Sequence, residues 1–145
     1  MRDEIHVETV SDPRLLGCIR SLVRAYAAGL GFAEERVRDI VLAVDEACAN
    51  AIRHSYGGRN DGAVTIVLKS SEEWMELELT DAGAPAPPER IVRRELERPT
   101  PETARPGGLG VQLMYEVFDE VRFTPGAVRG NHVIMRLRRP ERKDT

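Results

Sequence analysis

Cysteine is scarce in this chain of 145 residues: Cys18 and Cys48 are the whole complement. Two thiols do not make a disulfide framework, and no Cys-x-x-Cys or clustered Cys/His spacing points to zinc. Both cysteines fall on helical apolar faces and read as buried thiols of a reducing compartment. Positive charge is not in excess. Lys and Arg number 21 against 24 Asp and Glu, a formal net charge of −3, which gives no electrostatic reason to expect nucleic acid as a partner. The Arg-rich stretch 136–143 reads as a solvated end. No apolar run approaches the length of a membrane span and no signal peptide is visible, so no membrane association and a cytoplasmic location are expected. Internal repeats and low-complexity segments are missing too. The length suits one domain with a real core.

What the sequence does have is a marked central stretch, Val41 to Gly58. Val41, Val44, Ala47, Cys48, Ala51 and Ile52 recur at helical spacing and form one apolar arc. Glu46 and Asn50 stand four residues apart on one face, with Arg53 and His54 near it. A carboxylate and an amide so placed can hold a metal ion and orient a hydroxyl; they can also be a solvated face. Gly57 suits the left-handed position just past a helix end. His54 reads as a positive charge that helps end the helix.

The remaining elements follow from periodicity. Ile5 to Val10 alternates as a short strand, and Ser11-Asp12-Pro13 opens a helix with a cap and a proline at its first position. Glu34 and Glu35 begin the helix that runs into the central stretch. Ala63–Lys69 and Trp74–Thr80 form a hairpin, with Met75, Leu77 and Leu79 on one side and Glu76 and Glu78 on the other. From Ala82 to Gly107 the chain holds six prolines and a short helix near 89–97. A loop of that length in a compact domain reads as a lid or a disordered segment. Leu109–Phe118 is a helix, and Glu120–Thr124 with His132–Leu137 a second hairpin. This order predicts an α+β fold: a two-layer sandwich with helices on one face of a mixed, mainly antiparallel sheet.

Two further motifs carry chemistry. Asp81-Ala82-Gly83 closes a strand, where a carboxylate can accept from a base amino group and glycine lets the backbone approach a flat ring; a routine turn would look the same. Gly107-Gly108-Leu109-Gly110 precedes a helix. Its amides and the helix dipole can cradle phosphate, and a plain glycine hinge is the competing reading. It is neither a Walker A loop, lacking Lys-Ser/Thr, nor a dinucleotide fingerprint.

The order of these parts resembles the GHKL, or Bergerat, ATPase superfamily, and within it the small anti-sigma-factor serine/threonine kinases of bacteria. The match runs nearly the whole chain and is best over Asp45–Tyr56, similar to that group's N-box. The resemblance implies one ATP-binding kinase domain of the GHKL type over 1–145, with an ATP lid at 84–107. It assigns Glu46 as catalytic base, Asn50 to Mg²⁺, Asp81 and Gly83 to adenine, and Gly107, Gly108, Leu109 and Gly110 to phosphate. Arg105 lies one position out of register with an arginine found near the terminal phosphate in relatives. Where relatives carry a supporting threonine, this chain has Gly130-Asn131-His132-Val133, so Asn131, His132 or a water takes that place. The cofactors implied are ATP and Mg²⁺. The partners implied are an anti-sigma-factor antagonist as substrate, a sigma factor to sequester, and a second copy in a homodimer. A non-catalytic nucleotide-binding switch module, or a kinase of a signalling cascade with no sigma-factor target, would share these motifs. The dimerisation helix and phosphoacceptor histidine of a complete sensor histidine kinase are absent from the sequence.

Overall fold

The computed structural model describes residues 3–93 and 108–141. Strand β1 (Asp3–Val10) leads through one 3₁₀ turn, Pro13–Leu15, into helix α1 (Leu16–Gly29). Asp12 caps that turn by accepting from the Arg14 amide, with Pro13 following it. Helix α2 (Glu34–Asn50) follows. Its buried residues Val37, Ile40, Val41, Val44, Ala47 and Cys48 recur every three or four positions, so one side of the helix is apolar throughout. Hairpin β2 (Ala63–Ser70) and β3 (Trp74–Asp81), short helix α3 (Pro88–Ile91), helix α4 (Gly108–Val117), and hairpin β4 (Glu120–Pro125) and β5 (Asn131–Arg138) complete the described chain.

The strands form one five-stranded sheet in the order β1-β2-β3-β5-β4. Every described pairing is antiparallel, so no parallel member of the expected mixed sheet occurs among the described strands. Strand parity divides the sheet into two faces. Val64, Ile66 and Leu68, then Met75, Leu77 and Leu79, then Val133, Met135 and Leu137 are all buried and belong to the same core as the inner residues of α1, α2 and α4. The opposite parity carries charge: Lys69 pairs with Glu78, His132 with Glu78, and Arg136 with Glu76 and Glu120. Trp74 lies on that parity between the Arg136 and Arg138 guanidiniums, 4.3 and 4.8 Å from its ring centroid. Helices cover one face and a network of ions lines the other, the two-layer α+β sandwich that the sequence predicts.

Three local expectations change. Cys18 is exposed, whereas Cys48 is buried and its thiol is pushed up to about 12 by desolvation first and the nearby Asp45 charge second. Cys18 follows Gly17 at the edge of the α1 stripe, outside the buried set Ile19, Val23 and Ala27. The helix expected near 89–97 is a single turn, Pro88–Ile91, after which Val92 turns to extended backbone; residues 94–97 lie outside the described residues. The central helix does not continue as regular α-helix to its glycine stop. Ala51–Ser55 forms one turn of π-helix, closed by Tyr56 N–H to the Ala51 carbonyl at 3.1 Å, with Gly58 N–H on Ile52 at 2.9 Å. Gly57 and Gly58 then take φ of +59° and +84°, the left-handed stop read from the sequence.

Candidate functional site

The site forms where α2 ends, β3 ends and β5 begins. Asp81 is the last inward residue of β3, directly beside Val64 of β2 on one side and Asn131 of β5 on the other. It is 8% exposed, and a buried carboxylate requires donors. Three are present. Oδ1 accepts from the Gly83 amide at 2.9 Å and from Asn131 Nδ2 at 3.1 Å, and Oδ2 accepts from Ser55 Oγ at 2.9 Å. Of the two residues that replace the relatives' threonine, Asn131 therefore reaches Asp81. His132, one residue on, has the opposite parity and stands 3.5 Å from Glu78.

Gly83 is needed for a reason other than a flat ligand ring. A β-carbon there would lie 2.2 Å from the Ser55 carbonyl oxygen. That carbonyl accepts from the Ala84 amide at 2.7 Å, so the strand end and the π turn are pressed together, backbone to backbone. Tyr56, buried beneath them, accepts from the Ala82 amide at 2.7 Å and so anchors the same turn. Neither Ser55 nor Tyr56 stands out in the sequence as a site residue. Ser55 is a small polar residue in the last turn of a helix, with no periodicity to mark it, and its part follows from the π turn and the sheet register together.

Asn50 and Asp81 line one cavity, joined by Ser55, His54, Asn131 and Ala86. The free volume inside is about 50 Å³, with Arg90 and Ile91 of the α3 turn forming part of the wall. Asn50 Oδ1 is buried and has no hydrogen-bond partner, as is His54 Nε2. An orphaned amide oxygen costs about 1–3 kcal/mol when left so, which rules against a solvated face at Asn50 and supplies an oxygen donor of the hard type that Mg²⁺ takes. Among the described residues no group of three or more His, Cys, Asp or Glu could hold a metal by itself. Asn50 thus fits a metal that arrives with oxygen ligands of its own, as on a nucleotide phosphate.

His54 is not a helix-ending positive charge. Desolvation, then Arg90 and Arg53, hold its imidazole below the ordinary value of 6.5, favouring the neutral form. The folded state thus binds a proton less readily than the unfolded chain. The resulting stability is complete above the ordinary histidine range and is lost as the pH falls through the lowered folded value. We expect an NMR titration of the His54 ring to give a midpoint below 6.5, and His54→Gln to flatten the loss of stability on acidification. A midpoint at or above the ordinary value would contradict this environment.

Glu46 lies one turn before Asn50, outside the lining of that cavity. It is half-buried beneath the start of α4: a β-carbon on Gly110 would come within 2.7 Å of Glu46 Oε2 and 3.2 Å of its Cβ. Helices α2 and α4 therefore bring the glycine run and the carboxylate together. Gly108 and Leu109 open α4, the end of a helix whose first N–H groups have no intrahelical partner. Arg105 and Gly107 lie outside the described residues, as does most of the segment read as a lid.

A five-stranded antiparallel sheet under helices, with an acid at a strand end, an amide on the central helix and a glycine-led helix beside it, defines a nucleotide-binding class. The chain belongs to the histidine kinase-like ATPase domain family, whose model matches residues 9–137. Within that class it belongs with the serine-protein kinases named RsbW. It is 31% identical over 124 residues to RsbW of Bacillus subtilis, covering 83% of this chain and 77% of the relative. With RsbW of Bacillus licheniformis it shares 30% over 132 residues, at 83% and 77% coverage. Among solved structures it superposes on the RsbU and RsbW domains of a Mycobacterium tuberculosis protein with a TM-score of 0.64. That match is 17% identical and spans 99% of this chain but 34% of the other, and it shows the shared fold. Among the described residues no helix is long and apolar enough to cross a membrane.

Proposed function

We propose that this chain is one GHKL-type kinase domain over 1–145 that transfers the terminal phosphate of ATP to a serine or threonine of an anti-sigma-factor antagonist. The observation that carries the proposal is the pairing in one cavity of a buried, donor-held carboxylate, Asp81, with a buried and unpartnered amide oxygen on Asn50. Asp81 accepts from the adenine amino group, with Gly83 holding the turn. Asn50 is the protein's ligand to Mg²⁺. When bound, Mg²⁺ would neutralise phosphate charge, the main demand of phosphoryl transfer. Gly107, Gly108, Leu109 and Gly110 are assigned to the phosphates, the last three at the positive end of α4, and Arg105 is assigned to the terminal phosphate. Glu46, beneath Gly110, orients the substrate hydroxyl and takes its proton.

Arg90 and Ile91 of the α3 turn wall the cavity, and the proline-rich segment 84–107 to which they belong is the proposed lid over the nucleotide. We further propose a sigma factor as the sequestered partner and a homodimer as the working form. In the described sheet β1 is an edge strand whose one neighbour is β2, which leaves its other side for a second copy. The test is a labelled-phosphate assay with Mg-ATP and a candidate antagonist, run beside pull-downs in ATP and in ADP. Phosphoserine or phosphothreonine on the antagonist and recovery of a sigma subunit are expected. ATP binding with no transfer would replace the kinase by a non-catalytic module. Transfer with only sensor or phosphatase proteins recovered would remove the sigma factor.

A further inference from the structure

We propose that Gln112 and Tyr115 of helix α4 are positioning residues of the nucleotide site: they grip the end of the α3 turn and hold its wall in place for the adenine base. The inference rests on the reading that the base lies in the cavity beside Asp81, and it adds what fixes the outer wall of that cavity. Arg90 and Ile91 supply part of this wall. They belong to a helix of four residues, none of them buried. A single turn is not stable by itself, and one that buries no residue has little apolar contact to fix it. Its place therefore depends on hydrogen bonds made to it by other elements.

Those bonds come at both ends of the segment. At the start, Asn131 of β5 donates through Nδ2 to the Ala84 carbonyl at 2.8 Å and accepts the Ala86 amide at 2.7 Å. At the end, Val92 turns to extended backbone, so the chain does not continue as the helix that would pair the Ile91 and Val92 carbonyls. Both carbonyls are taken by α4. Tyr115 OH donates to the Ile91 carbonyl at 2.5 Å, and Gln112 Nε2 donates to the Val92 carbonyl at 2.9 Å. Burial, against the nearby Arg93 charge, raises the Tyr115 phenol above its ordinary value of 10.0, so its donor proton stays in place. Val111 and Met114, one step round the same helix, line the cavity from within, and Gly110 packs on Glu46. One helix thus carries the inner wall, the grip on the outer wall and the glycine end assigned to the phosphates. Removing the polar atoms of the grip leaves the other two faces as they are.

The test is the double variant Gln112→Leu/Tyr115→Phe. It removes both donors, keeps similar volumes and retains the ring that stands 6.0 Å from Phe123. The probes are ATP, adenosine and Mg-tripolyphosphate, read on the full chain by displacement of a fluorescent ATP analogue, with folding checked by thermal melting. ATP and adenosine should each bind about tenfold more weakly, the loss of two ordinary hydrogen bonds, while Mg-tripolyphosphate binds as to wild type. A merely structural role, acting through α4, would weaken tripolyphosphate by the same factor and overturn the inference. Unchanged ATP affinity would also overturn it, as would tighter binding, which would make the grip a barrier to the base. If the double variant does not fold, Tyr115→Phe alone should show a loss of about threefold, again confined to the ligands that carry a base. A wild type from which tripolyphosphate displaces the analogue and adenosine does not would instead overturn the placement of the base in this cavity.

Discussion

Replacing Glu46 with glutamine is expected to lower phosphoryl transfer about 10²–10⁴-fold, the usual range for loss of a general base, while ATP binding and folding survive. Glutamine matches the shape of glutamate, and shape matters here because Gly110 packs closely against this side chain, with a β-carbon at 110 falling 2.7 Å from Glu46 Oε2. Helix α4 therefore keeps its seat on α2, and the amides at its start, proposed to hold the phosphates, stay in place. Only the proton acceptor is gone. A loose transition state with the base mainly orienting the hydroxyl would put the loss toward the lower end. The measurement is single-turnover transfer of labelled phosphate beside nucleotide titration. Wild-type transfer by Glu46→Gln would remove the base from this position and leave Glu46 as a packing partner of Gly110.

Asp81→Asn should cut ATP affinity about tenfold or more and also lower the melting temperature. Three protein donors converge on this carboxylate. The amide keeps one acceptor oxygen, for Gly83 and Asn131, and turns its NH₂ toward Ser55, which must reverse to accept, and toward the ligand's amino group, which meets a donor. Hydrogen bonds to a charged group are worth about 1.5–3 kcal/mol each, so the loss falls on the strand end and on the ligand together. Calorimetry with a non-hydrolysable ATP analogue separates the two effects from a melting curve. Undiminished affinity in a folded Asp81→Asn protein would take Asp81 out of the nucleotide site. A lowered melting temperature alone would leave it a structural carboxylate.

Much of this architecture was legible because its elements repeat with clean periods. The inner column Met75, Leu77, Leu79 and the inner face of α2 are apolar without interruption, so both hairpins and the central helix could be placed from the sequence. The same parity held more than it was asked for. Asp81 extends the inner column of β3 by one step, and Asn131 extends that of Val133, Met135 and Leu137 in β5. Counting by twos from those residues would have chosen Asn131 over His132 as the partner of Asp81. Other features were not legible for physical reasons. The π turn depends on one widened hydrogen-bond ring, which no pattern in Ala51–Ser55 announces. Gly83 looks like ordinary turn chemistry until the Ser55 carbonyl is seen 2.2 Å from where its β-carbon would stand. The unpartnered Asn50 oxygen is a fact of three-dimensional burial, invisible in a helical wheel.

The contact between Glu46 and Gly110 also bears on how this chain can vary over generations. A methyl group at 110 can be admitted only if the Glu46 carboxylate swings aside and its β-carbon yields by a few tenths of an ångström. The two positions are therefore expected to vary together: an alanine at 110 displaces the carboxylate from where helix α2 holds it, and a shorter residue at 46 makes room for that alanine.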